Sequence, residues 1–248
     1  ISFYRTAPLL IVGFFSGLIS DRIGRIRTIL LCQTITLTVA STIALFLWTS
    51  YLSLWHLSIS SAILGIVWSL TWTARRSLLP DFVRKDQTVD AMILENFSQN
   101  ISKIIGPIIS GTLIGFFGAW ACYLVLAVIS TLSLFVLVKL AKTDLPKETE
   151  TSKDSPWTQM VESVRYIRSN SPIFAALLIT IVTNYLVFPY HVLLPVFARD
   201  ILNQGPFGLG LLGASSGIGS FLGLLIINII RPTFSNGWIF IGGGIFFF

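Results

Sequence analysis

Charge is scarce in this 248-residue chain: 11% of residues are Asp, Glu, Lys or Arg, 54% are hydrophobic, and mean hydropathy is +0.81. Soluble domains carry about 25% charged residues, so the shortage excludes an ordinary soluble domain. A hydrocarbon slab roughly 30 Å thick is crossed by about 20 apolar residues in a helix, and several such runs follow one another here. Alternating segments of roughly ten residues, the mark of a membrane β-barrel, are missing. The expected fold class is all-α, a polytopic helical membrane protein.

Other absences narrow the chemistry. The two cysteines, Cys32 and Cys122, fall beside connectors on opposite sides of the membrane, which excludes a mutual disulfide. The two histidines, His56 and His191, are isolated from them, so no metal site and no cofactor is expected. No GxxxxGK[ST] loop is present, which argues against ATP drive within this chain. An intramembrane enzyme would need a Ser/His pair or an HExxH at membrane depth, and neither is found. The net charge of +6 and pI near 9.6 do not indicate nucleic acid, because no basic stripe is interleaved with aromatics. No signal peptide is recognisable. The chain opens at Ile1 and closes on "IFFF", both inside apolar runs, as expected of an internal fragment of a longer protein.

What is present is a series of spans: Ile1–Ile19, Thr28–Thr49, Leu54–Ala74, Ala91–Phe117, Ala119–Val138, Ile173–Phe197 and Gly208–Ile230, with an incomplete one from Trp238. The connectors Ser20–Arg27, Arg75–Asp90, Lys139–Ser171 and Arg231–Gly237 hold nearly all the Lys and Arg. Those at Ser50–Ser53 and Gly118 hold none, and Ala198–Phe207 holds only Arg199. Basic loops stay cytoplasmic, so loops 20–27, 75–90, 139–171 and 231–237 are expected on that side of a plasma membrane.

Lys139–Ser171 is the one long polar connector, and its first part is charged and poor in large apolar residues. From Ser155 the pattern changes: Ser155 suits a cap and Pro156 a first helical turn. Trp157, Met160, Val161, Val164 and Ile167 share one face. This reads either as an amphipathic helix on the inner membrane surface or as a solvated helix packed on the bundle. The connector divides the chain into a bundle at 1–138, a linker at 139–171 and the start of a second bundle at 172–248. A weak internal repeat supports the division: "GFFSG" (Gly13–Gly17) aligns with "GSFLG" (Gly219–Gly223), and the same offset carries Arg25 onto Arg231 but Asp21 onto Ile227. A parallel repeat about the membrane normal would place them so.

Between the first two spans stands "GLISDRIGRIR", Gly17–Arg27. Gly24 permits a tight turn that a Cβ resists, and Gly17 allows a neighbouring helix to come close. Arg22, Arg25 and Arg27 can anchor the loop among anionic headgroups at roughly 1 kcal/mol each. Asp21 needs a partner, either a loop Arg or the positive end of a helix. The stretch resembles the loop between helices two and three of the major facilitator superfamily: Gly, three residues, Asp-Arg, an apolar residue, Gly-Arg, then basic residues. Ile26 departs from that pattern. "GPIISG", Gly106–Gly111, resembles a partial form of the superfamily's antiporter motif. "ARRSLLPDFVRKDQTVDA", Ala74–Ala91, resembles the loop after helix four in enterobactin-exporter-like bacterial exporters. The resemblance implies that the chain runs from helix two to the start of helix nine. It also implies that Gly17, Asp21, Arg22, Gly24 and Arg25 form a cytoplasmic gate, the alternative being that these charges only set topology.

The fourth span, Ala91–Phe117, carries a polar stripe. At about 100° per residue, Asn96, Gln99, Asn100, Lys103, Pro107, Ser110 and Gly111 fall within a third of the circumference. Phe97, Ile101, Ile104, Ile105, Ile108 and Phe116 cover the other side and are expected to meet lipid. Lys103 lies roughly 18 Å past Ala91, where a charge needs a wet cavity or a partner. It either lines an aqueous cavity and contacts substrate or a coupling carboxylate, or is a buried structural Lys paired with an acid. Gly106, Pro107 and Gly111 are expected to bend the helix or let it pack closely. Asn184 and Tyr185 sit mid-span in the next-to-last complete segment, as cavity residues or as an interhelical hydrogen bond. Trp68, Thr71 and Trp72 read as an interfacial belt or as cavity walls. The glycines 208, 210, 213, 217, 219 and 223 read as packing grooves.

The resemblance implies a secondary transporter. It would export a small molecule (drug, siderophore or metabolite) by alternating access, as a monomer in the bilayer, with protons as coupling ion. No acid lies deep in a span, which leaves Glu95, Asp21 or a residue in a missing helix for coupling, or else a different drive. The other readings are a lysophospholipid or lipid flippase and a non-transporting membrane sensor or scaffold.

Overall fold

In the computed structural model of the chain, residues 2–84, 87–141 and 165–230 are described, together with Glu162 and Gly242. Among them run seven long helices and no strand: α1 (Ser2–Ile23), α2 (Arg25–Trp48), α3 (Leu54–Leu78), α4 (Thr88–Phe117), α5 (Ala119–Ala141), α6 (Ser171–Val196) and α7 (Pro206–Ile230). Five stretches are long and apolar enough to cross a membrane: Arg25–Trp48, Leu54–Leu78, Asp90–Phe117, Ala119–Ala141 and Pro206–Ile226. The expected span from Trp238, the connector at 231–237 and most of the Ser155–Arg168 segment lie outside the described residues.

The helices outrun the apolar segments that signalled them. The connector expected at Ser20–Arg27 shrinks to Gly24 alone, α3 continues through Arg75 and Arg76, and α6 runs on into a π-helical turn at Phe197–Ile201. Asp, Arg and Lys propagate a helix well enough in water or headgroups, so hydropathy marks where lipid ends and not where the helix ends. Backbone conformation ends it. Gly24 has φ 94° and Gly118 has φ 92°, values an L side chain rarely adopts. Each is the single residue between two long helices.

Several polar residues inside the spans are satisfied locally. In α2 the hydroxyls of Thr34, Thr36, Thr38 and Thr42 each donate to the carbonyl four residues back, at 2.8–2.9 Å. At the α2–α3 turn, Ser53 caps α3 and His56 Nδ1 accepts from the Ser53 backbone N–H at 3.2 Å. His56 thereby fills the place a Glu or Gln takes in a capping box.

By contact density the chain divides into two compact units. One comprises Ile1–Asn96 with Thr112–Ser152, the other Phe97–Gly111 with Lys153–Phe248. The middle of α4 is thus counted with α7, on the far side of the linker in sequence. In the first unit α3 packs on α1 and α2, and α2 packs on α5. Ile29, Ala74 and Leu78 form a buried cluster there, with Ile26 and Leu137 against it.

Candidate functional site

The gate motif is built on the Gly24 joint. Gly24 N–H donates to Ser20 O at 3.0 Å, and Gly24 O accepts from Thr28 N–H at 2.9 Å and from Thr28 Oγ1 at 3.0 Å. Both peptide groups of the joint are therefore used. The break lets α2 turn back while Asp21 and Arg25 remain four residues apart, with Arg25 Nε 3.5 Å from Asp21 Oδ1. Arg25 Nη1 also donates to Ser77 O at 3.0 Å, in the last turn of α3. A cation is favoured at the carbonyl end of a helix, so one guanidinium joins the end of α1 to the end of α3. Arg22 lies in the last turn of α1 and is exposed.

Above the joint, α1 meets α3 through small residues. Ser16 Oγ and Thr73 Oγ1 are 2.8 Å apart, so one hydroxyl donates to the other, and the accepting one donates to a carbonyl of its own helix, Gly13 O for Ser16 or Ser69 O for Thr73. Gly17 faces Thr73, but a Cβ added there would lie 3.9 Å from the Thr73 methyl, an ordinary contact. At Gly17 the nearest neighbour is thus the Thr73 side chain and not α3 backbone.

One ion pair was not foreseen from the sequence. Arg75, near the end of α3, gives Nε and Nη2 to Glu95 Oε1 at 3.2 and 2.9 Å, and the Glu95 side chain is only 14% exposed. The available signal was a pair of opposite charges at the adjoining ends of consecutive spans.

The polar stripe of α4 is only partly a wet face. Pro107 and Gly111 lie against Gly210 and Gly213 of α7, and a Cβ on Gly217 would come within 2.8 Å of the Lys103 backbone and of Ile104. Phe97 meets Phe221 with ring centroids 5.7 Å apart. Phe97 and Ile104, expected to face lipid, thus belong to the α4–α7 seam. Periodicity had grouped the residues of each face but could not say which faces a neighbouring helix would cover. Asn96 and Lys103 remain exposed, Gln99 and Asn100 half-buried. Asn96 Nδ2 donates to Met92 O of its own helix.

Helix α4 stays continuous through Pro107, whose carbonyl accepts from Ser110 Oγ at 3.1 Å. Gly111 is buried on the seam, while an added Cβ at Gly106 would meet nothing within 4 Å among the described residues. In α7, Gly210, Gly213 and Gly217 do form a groove, Gly208 faces Gln204, and Gly219 and Gly223 have no such neighbour among the described residues. In α6, Asn184 Nδ2 donates to Thr180 O at 2.8 Å and both Asn184 and Tyr185 are exposed. Among the described residues the Asn184 amide bonds its own helix.

On α3, Trp68 and Trp72 stack with centroids 5.9 Å apart and planes 22° from parallel, and the Arg76 guanidinium lies 4.6 Å above the Trp72 ring.

These features define a polytopic helical membrane protein with a charged single-residue joint at one helix pair and a glycine seam at another. The chain matches the transmembrane secretion effector family over residues 3–247 and belongs to that family, within the major facilitator superfamily. It is 22% identical to the staphyloferrin A transporter of Staphylococcus aureus over 92% of this chain and 57% of that protein. It is 26% identical to an uncharacterized MFS-type transporter, YfiS, of Bacillus subtilis over 95% of this chain and 57% of that protein. Against macrolide efflux protein A of Streptococcus pyogenes it is 21% identical over 90% of this chain and 55% of that protein. The chain spans about half the length of the curated relatives it matches.

Proposed function

We propose that this chain forms much of a secondary transporter that exports a small organic molecule by alternating access, and that it is not an enzyme. The observation that carries the reading is Arg25. It bridges Asp21 and the carbonyl end of α3 across the Gly24 joint, a contact that can form when one side of the transporter closes and release when it opens. Names among the relatives, a staphyloferrin A transporter and a macrolide efflux protein, support a small-molecule substrate. Bundles at 1–138 and 172–248, joined by 139–171, would rock around a midplane site. The protein would act as a monomer in the plasma membrane, with loops 20–27, 75–90, 139–171 and 231–237 cytoplasmic.

Asn96, Gln99, Asn100 and Lys103 are the residues of α4 assigned to the aqueous side, with Asn184 and Tyr185 of α6. Protons are the proposed coupling ion and Glu95 the proposed acid. Its side chain is withdrawn from solvent and paired with Arg75. The test is reconstitution of the full-length protein in proteoliposomes and a solute screen with and without a pH gradient. Export driven by the gradient is expected, with Arg25→Gln and Asp21→Asn reducing it at least about tenfold in folded protein, a loss of about 1.4 kcal/mol or more. A sealed, folded preparation that moves no solute would overturn the reading. Lys103→Ala with wild-type turnover and preference would remove Lys103 from the substrate path.

A further inference from the structure

We infer that one edge of the α4–α7 seam, with Asn100 and Lys103 on one helix and Ser216 and Ser220 on the other, binds a small hydroxylated carboxylate. The inference deepens the transport reading and rests on it for placing this edge on the aqueous route. The seam fixes the register of two antiparallel helices. A Cβ added at Gly213 would lie 3.0 Å from Pro107 Cβ, one added at Gly217 would lie 2.8 Å from the Lys103 carbonyl carbon, and Phe97 meets Phe221. Residues three or four positions apart share a helix face. Stepping back from Pro107 along α4 in this way reaches Lys103 and then Asn100. Stepping forward from Gly213 along α7 reaches Ser216 and then Ser220. The Pro107–Gly213 contact therefore puts these polar residues on the same edge, with Ser216 level with Lys103 and Ser220 level with Asn100.

The edge is open and its polar groups are little used. Lys103, Ser216 and Ser220 are exposed and Asn100 is half-buried. Among the described residues, the side chains of Asn100, Lys103 and Ser216 make no hydrogen bond or ion pair, and Ser220 Oγ donates to Ser216 O at 2.9 Å. Lys103 is the one charged residue of α4 after Glu95, and α7 carries none. Lys103 lies near the middle of the apolar stretch Asp90–Phe117, and Ser216 at the middle of Pro206–Ile226. At about 1.5 Å per residue the ammonium is roughly 20 Å along the helix from either end of its stretch, too far for its stem to carry it to the headgroups. A charge at that depth needs a wet cavity or a partner, and a ligand anion in a wet cavity supplies both.

The donor and acceptor pattern selects the ligand. An ammonium donates and cannot accept, a primary amide does both, and a hydroxyl that has given its proton away still accepts. Lys103, the Asn100 amide nitrogen and Ser216 Oγ thus offer donors and a positive charge, while Asn100 Oδ1 and Ser220 Oγ offer acceptors. A carboxylate matches the first set, and a hydroxyl on a neighbouring carbon matches the second. A cation would meet Lys103 with like charge, and a carboxylate without hydroxyls would leave the acceptors unused.

The test uses the full-length protein in nanodiscs of zwitterionic lipid, with titration calorimetry of gluconate, sorbitol, glucamine and hexanoate. The first three keep the hydroxyls and change the charge, and hexanoate keeps the charge and drops the hydroxyls. Saturable gluconate binding is expected, with the other probes at least about tenfold weaker, the scale of a lost hydrogen bond to a charged group. Lys103→Gln should weaken gluconate by about tenfold and erase its advantage over sorbitol, while Lys103→Arg, which keeps the charge, should retain most of the binding. Ser216→Ala should weaken gluconate about threefold to tenfold and reads the site independently of Lys103 folding. Ser102→Ala, on another face of α4, should leave it unchanged. No gluconate binding, gluconate matched by any other probe, or full binding by both folded Lys103→Gln and Ser216→Ala would each overturn the site. Gluconate binding with these variant effects, in a protein that moves no solute in proteoliposomes, would fail the transport reading and leave the site standing. Export of another solute by a protein that ignores gluconate would do the reverse.

Discussion

The α1–α3 and α4–α7 seams are both lined with glycine, and they are built differently. On α1–α3 a methyl added at Gly13 or Gly17 would lie 3.6 or 3.9 Å from a side-chain atom, and the helices are held by the Ser16–Thr73 hydroxyl pair. On α4–α7 a methyl at Gly111 would lie 2.6 Å from Pro206 O and 3.0 Å from the Gly210 Cα, and one at Gly217 would lie 2.8 Å from the Lys103 backbone. The first seam is joined by side chains and the second by backbones. A glycine in a recognisable motif is therefore a poor guide to tightness, because the space it leaves depends on what the neighbouring helix presents.

The largest effect should come from Gly111→Ala. Its new methyl meets backbone, which cannot rotate aside, and a loss towards the upper end of about 1–3 kcal/mol is expected. A melt of the full-length protein in detergent, followed by gel filtration, reads it. An unchanged melt would mean that the second seam has slack. Gly24→Ala should follow, at about 2 kcal/mol for forcing a Cβ into the left-handed half of φ space, and should lower transport even where the protein still folds. Ser16→Ala should cost about 0.6 kcal/mol, the average for a hydrogen bond between membrane helices. A Thr73→Val partner and the double variant would isolate the coupling. Gly17→Ala should be the mildest: neutral, or stabilising by up to about 1 kcal/mol through helix propensity. A large loss there would erase the contrast between the seams.

Much of the fold could be read from the residues, because lipid imposes a length and a composition on every crossing. What could not be read was set by neighbours distant in sequence. Phe97 and Ile104 carry the same apolar signal as lipid-facing residues, and only the contacts with Phe221 and Gly217, more than a hundred positions away, draw them into a helix seam. Arg75 and Glu95 lie at ends of different spans, and nothing in periodicity couples them. Gly24 was recognisable in advance as a turn, since its role is conformational and local. The charges around it misled in one respect: Asp21 and Arg22 looked like loop residues and are the last turn of α1.

The Gly24 joint has a mechanical consequence. Its N–H and its C=O are each committed to a different helix, so neither rod can slide along its axis without breaking a bond at the hinge. Swinging about the glycine costs no such bond. The pair should behave like a folding ruler, opening and shutting in angle while the pivot keeps its place. Spin labels at the far tips of α1 and α2 would then report large changes in separation while labels flanking the pivot report almost none.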